Sequence, residues 1–466
     1  MGGVIASSDP RAARVGADVL RAGGNAVDAA VAAVFVLYVV EPHACGPGGD
    51  AFLMIGEPGA APEGLDGSGA VPAGLTQEAL TAAGLETVPI RGGATVTVPG
   101  AVSLLEEALG RYGTTALTDA IAPAVDLARN GFAARRTLAE TAARAASSIA
   151  NDPVLGPLYA PDGSPVAIDQ QITNPRLADL LERIAAEGAG VLYQGPVAEA
   201  IVGRVAEAGG YLTLEDMAAH RTEPVAPLSA TFRGRRVWEL PAPTQGPAVT
   251  IALERLEPLA EIGWDDVVEA VAAGLQGAGI PVKATGAAPA RAAPRDTTYV
   301  AVMDGDGRAA SMITTVFADF GAHVGVAELG GPVQNRATMF TALRRPPQPG
   351  KPPHTTIPAV VTHDGTPEYA LGLAGGFTQA QVQVQLLLRL LTEGMDPQAA
   401  IDAPRFKLEL GGGLTLEPGH PLAERHPDAV KPTGPEGFGA AQIAARLDGG
   451  FVGGADARRD GVVVTI

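Results

Sequence analysis

Cysteine is all but missing from this chain of 466 residues: Cys45 stands alone, which excludes an intramolecular disulfide framework. Set between Pro42-His43 and Gly46-Gly48, that thiol reads as a nucleophile or as a small buried side chain, and no second catalytic signature accompanies it. The seven histidines (43, 220, 323, 354, 363, 420 and 426) fall at no spacing used for metal ligation, so no metal and no other cofactor is expected. Basic residues are few, 33 against 51 acidic, and the net charge of −18 disfavours nucleic acid and anionic membrane as partners. Long apolar runs are also lacking: residues 27–40 are too few to span a bilayer and are followed by Glu41-Pro42, as for a buried helix. The opening MGGVIASSDP has neither the basic nor the apolar region of an export signal, so a cytoplasmic protein is expected.

What is present suits a large packed core. Hydrophobic residues make up 46% of the chain and the mean hydropathy is +0.17, which argues against disorder. Glycine, alanine and proline are abundant but dispersed, so no fibrous or low-complexity class applies. Apolar periodicity predicts helices over 11–20, 25–39, 136–148, 176–186, 248–257, 264–275, 379–392 and 397–403, and a strand–turn–strand across 230–240. By itself this pattern says only α/β or α+β.

The most informative stretch is PRDTTYVAVMDGDGRAASMITTVF. Alternating apolar positions follow Thr297, a tight Asp304-Gly305-Asp306-Gly307 turn intervenes, and a second alternating run reaches Thr315. This is a β-hairpin whose first strand begins at a threonine, behind a loose Ala/Pro/Gly segment, 284–294, of the kind that tolerates cutting. A threonine that becomes the first residue of a chain carries a hydroxyl nucleophile and a free α-amine to serve as its base. An ordinary hairpin after a linker has the same pattern.

The N-terminal run closely resembles the opening of γ-glutamyltransferases, autoprocessing N-terminal-nucleophile enzymes. The matching elements are Gly23-Gly24-Asn25-Ala26-Val27-Asp28, Glu41-Pro42-His43 and Gly46-Pro47-Gly48-Gly49. Val98-Pro99-Gly100, Gly209-Gly210-Tyr211, Pro243-Thr244-Gln245-Gly246, Gly375-Gly376, Ala403-Pro404-Arg405 and Gly454-Ala455-Asp456 follow in the family's order. The resemblance implies an α+β fold, a four-layer αββα sandwich in which one sheet is shared between two subunits cut from one precursor. The large subunit would be 1–296 and the small one 297–466, with cleavage between Asp296 and Thr297 and self-association of the two pieces. It also implies Thr297 as nucleophile, Thr315 as the hydroxyl bonded to it, and Gly375-Gly376 as the oxyanion loop. The segment 261–295, which holds more helix in the family, is short here.

The recognition positions depart from that pattern. Ser68 stands where the family arginine pairs with the α-carboxylate of γ-glutamate, and Met339 where an aspartate holds its ammonium group. His354-Thr355 replaces a serine pair, and Phe317 an asparagine. Machinery is kept and γ-glutamyl recognition is lost. The substitutions resemble a branch with Gln334-Asn335-Arg336 and His354-Thr355-Thr356-Ile357-Pro358 motifs, and Arg91-Gly92 before Val-Pro-Gly. That branch includes oxamate amidohydrolases and relatives in secondary metabolism, such as 4-alkylproline pathways, where the bond is proposed to be C–C. His354, Arg336 and Arg91 are the candidates for holding a substrate carboxylate, with Asn335 beside them. The alternatives are that Arg336 pairs with a surface acid and that His354 packs a loop. The expected activity is hydrolysis of a small acyl or α-oxo acid amide. A γ-glutamyl enzyme with altered contacts and an unprocessed non-enzymatic relative remain the other readings.

Overall fold

In the computed structural model, which describes residues 2–282, 297–432, 437–448 and 450–466, two antiparallel sheets lie face to face between layers of helices. The first has seven strands in the order Val462–Thr465, Gly3–Ser7, Thr298–Asp304, Ala309–Thr315, Asp50–Gly56, Glu63–Asp66, Glu223–Val225. The second has six, in the order Gly450–Ala455, Ala440–Leu447, Thr366–Ala374, Ala359–His363, Arg235–Glu239, Leu228–Phe232.

Period-two alternation assigns the layers. Val300 and Val302 belong to the apolar cluster shared with the helices Pro10–Arg21, Ala26–Val40, Ala101–Tyr112, Leu117–Asn130 and Pro175–Glu187. Tyr299, Ala301 and Met303, on the other face, pack between the sheets with Val4, Phe52, Ile313, Val360, Ala370 and Ala444. The outer face of the second sheet is covered by Gly246–Leu256, Trp264–Gly277 and Gln379–Leu391. The four layers are those expected. One detail differs: both sheets, not one, take strands from each side of residue 297.

Helix ends are set by local chemistry. The Asn25 side chain accepts from the Val27 and Asp28 N–H groups while Asp28 accepts from the Asn25 N–H at 2.8 Å, a capping box worth about 1 kcal/mol. Asp28 also accepts from the Thr114 and Thr115 N–H groups at 2.8 and 2.9 Å, so this motif braces the fold. All of Ala26–Val40 is buried, and no helix among the described residues is long and apolar enough to cross a membrane. The expected helices are all present, with ends shifted by one or two residues. Of the short segment 261–295, the described part holds the helix Trp264–Gly277; residues 283–296, and with them Asp296, lie outside the described residues.

Candidate active site

Register places the two candidate hydroxyls. Thr315 pairs with Asp50 across the Ala309–Thr315 and Asp50–Gly56 strands, and Thr314 pairs with Thr298, which brings Thr297 alongside Thr315. Opposed residues of antiparallel strands share a face. Asp50, Thr315 and Thr297 therefore form a row on the face that looks into the gap between the sheets, at its end. All three are buried.

The Thr297 and Thr315 Oγ1 atoms are 3.2 Å apart, within hydrogen-bond reach. Thr315 Oγ1 also accepts from the Phe317 N–H at 2.7 Å. The Thr297 carbonyl accepts from Arg459 at 3.2 Å. Thr315→Ala is expected to slow both self-cleavage and turnover, by about 10-fold or more, because one hydroxyl serves both; normal rates of both would remove Thr315 from the site.

Gly375 and Gly376 are the residues expected to form the oxyanion loop. They follow the strand Thr366–Ala374, whose Gly372 lies against the Tyr299 ring so closely that a Cβ there would come within 2.5 Å of it. Tyr299 and Ser311 hydroxyls are bonded at 2.6 Å, and Ser311 donates to the Leu371 carbonyl at 3.4 Å, tying the sheets together beneath the site. Gly375 has φ 147° and Gly376 φ 57°, conformations that an L side chain resists. A Cβ on Gly375 would also lie 2.8 Å from the Gly439 Cα. With its amide oriented by its neighbours, Gln379 donates to the Thr355 and Leu373 carbonyls at 3.1 and 2.9 Å and accepts from the Gly376 N–H at 3.3 Å. That last, long bond is one an oxyanion can replace.

The loop beside Gly375 is held from the C-terminal portion. Arg405 donates to the Phe438 and Gly439 carbonyls at 3.1 and 3.2 Å and to Asp456 at 2.6 Å, with both charged groups inaccessible to solvent. Arg405 and Arg458 hold the Asp456 carboxyl below the usual carboxylate range against its burial.

Next to the hydroxyl row lies a buried charge cluster. Arg336 Nε donates to Asp50 Oδ2 at 3.3 Å, and the guanidinium carbon sits 4.4 Å from the centroid of the Phe317 ring. Phe317 itself has φ 78°. Nη1 and Nη2 of Arg336 have no hydrogen-bond partner among the described residues, nor do the two ring nitrogens of His354. His354 Nε2 is 3.9 Å from the same Asp50 oxygen, and its ring meets Phe52 edge-on at 4.8 Å. Burial, with Arg336 and Lys351 nearby, pushes the His354 imidazole well below its usual range, so it is neutral. Burial lifts the Asp50 carboxyl to about 6 despite the opposing pull of Arg336, and lowers Arg336 to about 10, still charged at neutral pH.

The other sequence candidates are placed as follows. Ser68 donates to Asp66 at 2.6 Å and is buried; Asp66 in turn takes Lys351 at 3.1 Å. The adjoining Gly69 N–H donates to Asp50 Oδ1 at 3.3 Å, where a Cβ would collide with the Val98 carbonyl at 1.7 Å. Met339 shares a buried apolar cluster with Phe317 and Phe377. Asn335 braces loops, accepting from the Ala318 N–H at 3.1 Å and donating to the Ile90 carbonyl at 2.9 Å. Arg91 donates to the Gly321 carbonyl, and burial lowers it to about 10. Asp50 escaped sequence reading. The available signal was an acid heading the otherwise apolar run Ala51-Phe52-Leu53-Met54-Ile55, directly after Gly48-Gly49. Cys45 is buried, its thiol 3.7 Å from the Glu41 carbonyl, and among the described residues no three His, Cys, Asp or Glu side chains could hold a metal ion.

The gamma-glutamyltranspeptidase family model matches residues 12–276 and 260–466. The glutathione hydrolase-like YwrD proenzyme of Bacillus subtilis (strain 168) is 31% identical, over 99% of this chain and 98% of its own. The acylase ACY 1 proenzyme of Pseudomonas sp. (strain SE83) is 30% identical, over 100% and 93%. The crystal structure of cephalosporin acylase from Bacillus halodurans superposes with a TM-score of 0.90 at 32% identity, over 99% of this chain and 95% of that one. With this fold, these motifs and matches along nearly its whole length, the chain belongs to the γ-glutamyltranspeptidase family of N-terminal-nucleophile hydrolases.

Proposed function

We propose that the protein is a self-cleaving N-terminal-threonine acylase whose substrate is an amide with a carboxylate on its acyl part, rather than a γ-glutamyl compound. The observation that carries this reading is the Nη edge of Arg336, buried and without a hydrogen-bond partner among the described residues, on the guanidinium whose Nε holds Asp50 opposite Thr315. An unpaired buried guanidinium edge is costly, and a carboxylate bound to it through two N–H donors relieves that cost. The guanidinium lost at Ser68 is thus supplied from position 336, reaching the neighbourhood of Gly69 through Asp50. Two relatives carry the name acylase, which supports an acyl group outside the γ-glutamyl class.

In this mechanism Thr297 Oγ1 attacks the acyl carbon while the α-amine, with an ordinary pKa of about 8, takes the hydroxyl proton. Backbone N–H groups at Gly375-Gly376 receive the oxyanion, an interaction worth about 3–4 kcal/mol in the barrier. The C–N bond breaks, the leaving amine takes the proton, and water hydrolyses the ester to release the acid. An oxalyl amide, or a C–C bond beside an activated carbonyl, would enter the same sequence.

A second reading has one observation in its favour. Asp50 and Arg336 together form an acid–arginine pair that could receive the ammonium and carboxylate of γ-glutamate. The test uses processed enzyme with glutaryl-, valeryl- and γ-glutamyl-p-nitroanilide, the first two differing only in the terminal carboxylate. The expected result is kcat/KM for γ-glutamyl at least ~100-fold below glutaryl. Arg336→Ala or His354→Ala should raise KM for glutaryl, leaving valeryl and self-cleavage unchanged. Comparable turnover of the γ-glutamyl anilide would establish the second reading instead, and full activity of both variants on glutaryl would remove the anchor.

A further inference from the structure

We propose that Asp50 is the counter-ion a substrate carboxylate displaces: it holds Arg336 while the site is empty, and the carboxylate enters together with one proton. This rests on the acylase reading above and specifies the acyl group as one ending in a single negative charge.

The guanidinium is fixed on two of its aspects and open on a third. Its Nε edge is taken by Asp50, one face lies on Phe317, and the Nη1–Nη2 end is left for a ligand. Asp50 is fixed in turn by the Gly69 N–H and by its place opposite Thr315. With Asp50 ionised and His354 neutral, Asp50 and Arg336 cancel, so the empty cluster carries no net charge. An incoming carboxylate adds one negative charge where water cannot reach, and an unpaired buried charge is strongly disfavoured. Taking a proton onto Asp50 restores neutrality while an acid oxygen still accepts from Arg336 Nε.

Every neighbour of Asp50 fits this account. Arg336 is the cation facing it, neutral His354 approaches the same oxygen, and Asp66 adds negative charge behind it, itself balanced by Lys351. Tyr38 and Tyr193, also close, are held protonated by burial. The Asp50 carboxyl already sits at about 6 without ligand. Below that pH the acid is protonated in both states and no proton is taken up. Above it, binding draws a proton from solvent and weakens by up to about tenfold per pH unit.

The experiment follows KM for glutaryl- relative to valeryl-p-nitroanilide from pH 5 to 8; the shared acylation step cancels the titration of the Thr297 amine. In wild type the ratio should be flat to about pH 6 and then climb up to about tenfold per unit. In Asp50→Asn, which keeps an acceptor for Nε without its charge, the ratio should stay low and flat. Calorimetric titration of wild type with free butyrate, a single carboxylate on an alkyl chain, in buffers of differing ionisation heat should register the uptake of one proton at pH 7.5. This measurement serves even where a variant fails to fold. A wild-type ratio flat to pH 8, an unchanged slope in Asp50→Asn, or no proton uptake overturns the proposal. In those cases a normal loss of glutaryl selectivity in Arg336→Ala leaves the acylase reading standing. If Arg336→Ala keeps its selectivity, it is the acylase reading that falls.

Discussion

Thr297→Ala is expected to yield one uncut chain of 466 residues with activity at least about 10⁴-fold below the parent, where the parent is expected to divide into pieces of 296 and 170. One oxygen is asked to do both jobs. On the proposed reading it attacks the carbonyl carbon of residue 296 in the precursor, the peptide C–N bond breaks as the acyl group moves from nitrogen to oxygen, and water opens the ester. The freed α-amine then becomes the base for turnover. The hydrogen-bond distance between the Thr297 and Thr315 hydroxyls suits both reactions, and on the proposed reading both use the Gly375-Gly376 N–H groups as oxyanion cradle. Thr297→Ser should retain cleavage and some turnover. A denaturing gel gives the first answer, and mass analysis of the small piece the second. A new N-terminus at any residue other than Thr297, or cleavage in the alanine variant, ends the assignment.

The next largest effect is expected far from the reacting atoms. Asp456→Ala leaves Arg405 buried with its charge uncompensated, and breaking a fully buried pair costs about 3–5 kcal/mol. Asp456 also accepts from the Ala441 N–H at 3.0 Å, so the strand that follows Gly439, which lies against Gly375, loses a second support. Denaturant unfolding should lose several kcal/mol and kcat should drop with it, while Asp456→Asn, which keeps an acceptor, should lose less of both. A change below about 1 kcal/mol with unaltered kcat would show that the pair neither stabilises the fold nor holds the turn.

Much of this architecture could be read from the chain itself. The hairpin announced its alternation and its Asp304–Gly307 turn, and the observed strands, Thr298–Asp304 and Ala309–Thr315, follow it closely. The buried helix after Gly23-Gly24 was legible as well, begun one residue early at Asn25, which is its cap. Both are local, so local chemistry writes them plainly. Asp50 was invisible for the opposite reason. Its meaning comes from a register that sets it against Thr315, and from an arginine 286 positions away. The same holds for Arg91: a motif places it before Val98-Pro99-Gly100, but only the folded chain brings it against Gly321. The polar departures at Ser68 and Met339 were legible as losses. The replacement we propose for them, a guanidinium from another element, was not, because a substitution in sequence does not say from where in space a charge could return.

Both sheets draw strands from either side of residue 297, and that weaving decides what cleavage would make of the molecule. A cut there does not release two domains. It leaves two incomplete ribbons, each missing the neighbours that the other supplies in the middle of a sheet, and neither able to bury its apolar faces alone. Refolding after denaturation would change from a reaction of one molecule to a meeting of two, dependent on concentration where the precursor's is not. Maturation would then act as a ratchet, with a persistence set by how slowly the paired strands come apart.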